Sequence, residues 1–178
     1  LGDGMLGQMM EPVEFKHEAP AVPPVRANGL RGAKDRPSRF IRSFTSNPAE
    51  LEELNWSLYR RYQQLQQEET SCECFMTDDA KLIITAFGIG ARIAKGAITN
   101  ARAQGMKVGM FRPTTLWPFP SEQLKDLSKK TKYFLDFEMN MGQMIDDVKL
   151  ALEGNGDVTF YGRPGGVIPT SSEVLRVI

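Results

Sequence analysis

From Ser71 to the end of the chain, short apolar runs alternate with amphipathic helical patterns, and that alternation leaves few folds open. An apolar run of four to eight residues bounded by turn residues fits a strand buried on both faces. Strands separated by helices are joined by crossovers, which make the sheet parallel and cover both its faces. The strand candidates are 81–87, 107–111, 133–137 and 158–160, with 72–75 as a short edge strand. The helix candidates are 90–104, ending at Gly105, 121–130 capped by Ser121, 143–153 ending at Gly154, and 171–178 capped by Thr170. The expectation for 71–178 is therefore a three-layer α/β/α domain on a mostly parallel sheet, and ~100 residues suffice to bury a core.

The first 70 residues read differently. Residues 1–15 look like the last strand-to-helix corner of a preceding domain, and with Leu1 in place of a start Met the chain reads as a piece of something longer. Residues 16–46 are rich in Pro, Gly, Arg and Ser, as in a linker or a segment that wraps a neighbour. Over 47–70 a helix is expected. Asn47 is a good N-cap, Pro48 suits the first helical position, and Glu50 stands where a capping box requires it. Leu51, Leu54, Leu58 and Leu65, with Trp56, Tyr59 and Tyr62, make an apolar stripe through about Gln67.

Composition excludes several functions. With 22 basic and 22 acidic residues there is no basic excess for nucleic acid. No apolar run approaches the ~18 residues of a membrane span, and no signal peptide opens the chain. Two cysteines one residue apart, Cys72 and Cys74, suit a reducing cytoplasm better than a disulfide scaffold.

Two loops follow the second and third of the four strong strands. They read Phe111-Arg112-Pro113-Thr114-Thr115-Leu116-Trp117-Pro118-Phe119-Pro120 and Phe137-Glu138-Met139-Asn140-Met141-Gly142-Gln143-Met144. Both fall at the carboxyl edge of the sheet, where open α/β folds build their sites. The prolines of the first fix its backbone, and Trp117 and Phe119 supply apolar area for internal packing, for docking, or for both. In the second, Glu138, Asn140 and Gln143 can cap the next helix, with Asn140 acting directly. Alternatively, the two strands being expected as sheet neighbours, Glu138 and Arg112 pair across the crevice between them and present polar groups to a partner.

With Asp3-Gly4-Met5-Leu6-Gly7-Gln8-Met9-Met10-Glu11-Pro12 at the start, these loops make the chain resemble the α subunit of 2-oxoacid:ferredoxin oxidoreductases, closest to the branched-chain (2-oxoisovalerate) type. The resemblance implies the end of that subunit's first, thiamine pyrimidine-binding domain, then the linker and the whole second domain. It also implies a transketolase C-terminal-like domain at 71–178, with its first edge strand antiparallel. The parent reaction implied is thiamine-dependent oxidative decarboxylation of a 2-oxoacid. Thiamine diphosphate, Mg²⁺ and iron–sulfur clusters are its cofactors, coenzyme A takes the acyl group and ferredoxin the electrons. The partners implied are the β and ferredoxin-like γ subunits, in the cytoplasm. The fragment itself is expected to be structural, with no catalytic, cofactor or metal residue of its own.

Several motifs compete with that reading. Gly2-Asp3-Gly4 with Asn28 suggests a thiamine-type Mg²⁺ motif, but the Pro-broken spacer supplies no strand to return Asn28 to the metal. Gly88-Ile89-Gly90 lacks the third glycine of a dinucleotide fingerprint and reads as a tight βα turn, although a free helix N-terminus there could hold an anion. Cys72-Glu73-Cys74 has too few ligands for a cluster, and the one His17 lies far off in sequence. The alternative function is a free-standing α/β module that binds a small anion or nucleotide at Gly88 and Gly90.

Overall fold

The computed structural model describes residues 44–178, together with Gln8, Met10, Pro12, Glu14, Gly29, Gly32 and 34–38. The expectations for Gly2-Asp3-Gly4, Asn28 and most of 1–46 lie outside these residues. The chain divides into two units, one built on Tyr62–Ile178 and the other on Met10–Arg61.

Helix α1 (Pro48–Glu68) begins where the sequence indicates. Asn47 Oδ1 accepts from the Ala49 N–H at 3.1 Å, as an N-cap should. The reciprocal capping box does not form. The Asn47 N–H goes to Thr45 Oγ1, and Glu50 accepts the Thr45 hydroxyl and the Asn47 side-chain amide instead. No residue of α1 is fully buried, and Trp56, Tyr59 and Tyr62 are about half exposed.

The sheet holds β1 (Cys72–Phe75), β2 (Leu82–Thr85), β3 (Val108–Pro113), β4 (Tyr133–Glu138) and β5 (Asp157–Gly162). Their order is β1-β3-β2-β4-β5, with β1 antiparallel to β3 and every other pair parallel. Between the strands run α2 (Gly88–Ala103), α3 (Ser121–Ser128) and α4 (Met144–Leu152), and α5 (Ser171–Leu175) follows β5. The three layers and the antiparallel edge strand are those expected. The strand order corrects one expectation. β3 and β4, which carry the two loops, are not neighbours, because β2 lies between them.

Side chains alternate across a strand, so the register assigns every residue a face. Thr85 stands level with Phe111 on one side and Asp136 on the other. That row, with Ile83, Phe134 and Val158, faces α3 and α4 over a core of Leu124, Leu127, Met144, Val148 and Leu152. The opposite face carries Ile84, Val108, Met110, Leu135 and Phe137, packed on Ala91, Ala94, Ala97 and Ile98 of α2 and on Val174 of α5. Small residues on α2 let it lie close. A Cβ at Gly96 would stand 2.6 Å from Ser171 Oγ, whose hydroxyl donates to the Ile93 carbonyl.

Helix ends follow local chemistry. Thr170 and Glu173 form the reciprocal capping box at α5. α2 gives way at Gly105, whose φ of +84° suits glycine. Ser121 is not the cap of α3. Pro120 holds that position, and Ser121 is the first helical residue.

Candidate functional site

The polar groups at the carboxyl edge are organised by one side chain, Glu138, the last residue of β4 and 1% exposed. Its carboxylate accepts the backbone N–H groups of Gln143, Met144 and Ile145 at 3.0, 2.9 and 3.1 Å. A fourth donor is Asn140 Nδ2, at 2.9 Å. Those are three of the four orphan N–H donors at the start of α4, so Glu138 caps the helix from the preceding strand and its negative charge meets the positive end of the helix dipole. The expectation that Asn140 caps α4 is corrected. Asn140 Oδ1 instead accepts the Gly142 N–H at 2.7 Å and closes a local turn. Gly142, at φ +99°, supplies the left-handed backbone this turn needs. Gly162, at the end of β5, makes room for it, since a Cβ there would stand 2.5 Å from the Asn140 carbonyl.

Two residues behind Glu138 on the same face of β4 is Asp136, sealed from solvent. Thr85 Oγ1 donates to its Oδ1 at 2.6 Å across the β2–β4 pair. Its Oδ2 has no donor facing it among the described residues. Burial, then the hydrogen bond to Glu138, pushes the Asp136 carboxyl up to about 8, so at neutral pH it carries its proton. The neutral acid resolves the orphaned oxygen by becoming a donor toward Glu138. Burial pushes Glu138 up as well, but Asp136, the Met144 and Ile145 N–H groups and Asn140 outweigh it and hold Glu138 below its ordinary value. Two like charges so placed cannot both ionise, and the pair settles as one acid and one carboxylate. Asp136 is sealed from solvent, so its proton stays within the Thr85, Asp136 and Glu138 cluster.

Arg112 takes no part. It stands on the opposite face of the sheet from Glu138 and is separated from β4 by β2. Its guanidinium donates to Glu73 of β1 at 3.0 Å, and Lys95 of α2 stands 3.7 Å from the same carboxylate. The expected Arg112–Glu138 pair across a crevice is thus absent on two grounds, strand order and strand face.

The remaining site residues separate by exposure. Phe119 packs with Leu116 against the core under α3 and α4. Trp117 is 60% exposed and rests edge-on against Tyr62, with ring centroids 5.5 Å apart. The Trp117–Pro118 bond is cis. The Gln143 side chain is exposed although its N–H is capped, and Met141 beside it is 80% exposed. At Gly88-Ile89-Gly90, Gly88 has φ +56° and opens α2 behind Phe87, whose side chain makes no cap. Gly90 lies against β4, with a Cβ there 3.5 Å from the Phe137 carbonyl.

Asp136 and Thr85 are the members of this cluster that sequence reasoning missed. The signal was an acid inside the apolar run Tyr133-Phe134-Leu135-Asp136-Phe137, a strand covered on both faces. Among the described residues no group of three His, Cys, Asp or Glu side chains is placed to hold a metal ion, and no helix is long and apolar enough to cross a membrane.

Residues 80–174 match the family described as pyruvate:ferredoxin oxidoreductase core domain II. Over all 178 residues the chain is 38% identical to ketoisovalerate oxidoreductase subunit VorB of Methanothermobacter marburgensis and 36% identical to that of Methanothermobacter thermautotrophicus, covering 50% of each. It thus spans about half the length of these curated relatives. The 2-oxoglutarate synthase subunit KorA of M. marburgensis is 31% identical over 102 residues, 57% of this chain and 27% of that one. Among solved structures, a 2-oxoglutarate:ferredoxin oxidoreductase from Magnetococcus marinus, bound to 2-oxoglutarate, coenzyme A and succinyl-CoA, superposes with a TM-score of 0.61. The match covers 75% of this chain and 23% of that one at 18% identity, a likeness of fold.

Proposed function

The chain belongs to the pyruvate:ferredoxin oxidoreductase core domain II family, and on that premise we propose that it is the second domain, with its leading linker, of the α-type subunit of a branched-chain 2-oxoacid:ferredoxin oxidoreductase. The observation that carries this is the 38% identity to a ketoisovalerate oxidoreductase subunit, which extends from the first residue to the last. The parent reaction on this reading is oxidative decarboxylation of 2-oxoisovalerate to its acyl-CoA, with ferredoxin reduced. Thiamine diphosphate with Mg²⁺ supplies the carbanion chemistry and iron–sulfur clusters carry the electrons. The described residues do not fit those groups. Two cysteines one residue apart are too few thiolates for a cluster, and among the described residues no three His, Cys, Asp or Glu side chains are grouped to hold a cation. Those cofactors belong, on this reading, to other parts of the complex.

The chain's own part is assembly. Glu138 and Asp136 fix the turn that presents Met141 and Gln143, and the β3–α3 loop presents Trp117 on the same carboxyl edge of the sheet. A turn held from below by the buried Glu138 carboxylate, with an exposed aromatic on a second loop of the same sheet edge, suits a docking surface. The β subunit and the ferredoxin-like γ subunit are the partners this reading names.

The test is co-expression of the chain with the matching β and γ subunits, followed by affinity purification. Retention of all three, together with no binding of thiamine diphosphate and Mg²⁺ by the chain alone in calorimetry, is the expected result. Micromolar cofactor binding by the isolated chain, or no retention of either subunit, overturns it.

A further inference from the structure

Cys72 and Cys74 are the only cysteines of the chain, and β1 places both on one face of an edge strand. Alternation turns i and i+2 to the same side, and the register sets them level with Pro113 and Phe111 of β3. Cys72 is half-buried against the core cluster under α3 and α4, and Cys74 is exposed. Neither thiol is in a disulfide.

Strand geometry decides what such a pair can take. Two residues of extended backbone span ~6.4–6.8 Å, at the upper limit of the Cα separation a disulfide tolerates. Closing an S–S bond here would pull the strand out of its ladder with β3. An ion held between two sulfurs needs no such contraction, because bonds near the ~2.3 Å of metal thiolates set the sulfurs roughly 4–5 Å apart. No imidazole or third thiol among the described residues completes a tetrahedral set, and the nearest carboxylate, Glu73, points to the other face and is held by Arg112 and Lys95. Thiolates alone, two in number and flanked by apolar side chains, select a soft ion content with two ligands, the copper(I) class, over zinc, calcium or magnesium.

We infer that Cys72 and Cys74 form a two-thiolate site for a soft cation of the copper(I) class on the open edge of the sheet. Each ion bound releases two thiol protons to solvent and changes no oxidation state. The site stands apart from the Glu138 cluster and does not depend on the assembly role.

The probe is copper(I) held by a chromophoric chelator, titrated anaerobically with the full chain. The expected result is withdrawal of one ion per chain, with both thiols then protected from alkylation by iodoacetamide. Cys74 is exposed, so Cys74→Ser should leave the melting curve in place while reducing competition for the ion at least tenfold. Cys72→Ala should do the same, and circular dichroism verifies its fold. Undiminished withdrawal by Cys74→Ser, two ions per chain with one on each thiol, or no withdrawal by the wild type each overturns the assignment.

Discussion

Thr85 and Asp136 face each other across the β2–β4 pair with 2.6 Å between Oγ1 and Oδ1, and neither is exposed to solvent. The hydroxyl satisfies one carboxyl oxygen, and the acid's own proton satisfies the other. Folding therefore selects protonated Asp136, and the first prediction follows from the sign of that selection. The folded value of about 8 lies above the ~3.9 of an unfolded Asp. The associated stability is fully present below ~3.9 and is lost as pH rises through about 8, at roughly 1.4 kcal/mol per pH unit. Asp136→Asn, which cannot ionise, should therefore gain on the wild type between pH 5 and pH 8 in urea unfolding. Parallel pH dependences for the two proteins would show that Asp136 is not held protonated.

Glu138→Gln should unfold more easily by about 2–4 kcal/mol, because a charged acceptor of buried donors is replaced by a group with one acceptor oxygen and an amide facing N–H groups. Arg112→Ala should cost less than about 1 kcal/mol, since its pair with Glu73 is nearly half exposed. An exposed Arg112–Glu138 pair, as expected from the sequence, would give both substitutions the same small effect. Chemical denaturation of both variants decides between that and the structure, and equal midpoints would sink the capping role of Glu138.

Trp117→Ala should lower the chain's own stability by only about 0.5–1.5 kcal/mol, the contribution of an edge-on aromatic pair. Retention of the β subunit should fall far more, if Trp117 is an anchor of the docking surface. The readout is the ratio of the two effects. A pull-down unchanged while the melting temperature drops would make Trp117 a packing residue only.

Gly162→Ala tests the support of the Asn140 turn. A Cβ at that position meets a backbone carbonyl at 2.5 Å, so the turn must move rather than a flexible side chain. The expected cost is about 1–3 kcal/mol, with faster hydrogen exchange at the Gly142 and Gln143 amides. Unchanged exchange there would show that the turn does not depend on β5.

The layers of this fold were legible because strand and helix periods differ and the apolar runs are bounded by turn residues. Strand order was not legible. Neither the run at 107–111 nor that at 133–137 says that 82–85 inserts between them, because a crossover helix can carry the chain to either side. The Arg112–Glu138 expectation failed there, and it failed again on strand face, since Arg112 follows Phe111 and so turns to α2. The assignment of the helix cap to Asn140 failed for another reason. Asn is the commoner cap by local rules, but a longer side chain at the end of the preceding strand reaches three N–H groups at once. Asp136 was overlooked because a buried acid opposes the pattern around it.

Among the described residues the antiparallel strand β1 precedes β2 in the chain yet pairs with β3 alone, on the side of β3 away from β2. It has nothing to pair with until β3 has been synthesised, folded across β2 and presented its outer edge. Closure of β1 is thus a late event, carried by long-range contacts that are slow to form. Until it happens, β3 shows an unpaired edge along Met110, Phe111 and Pro113, the kind of edge that recruits strands from other chains. The four residues of β1 act as a seal, and a nascent chain in which that seal is delayed is most exposed to aggregation at the centre of its own core.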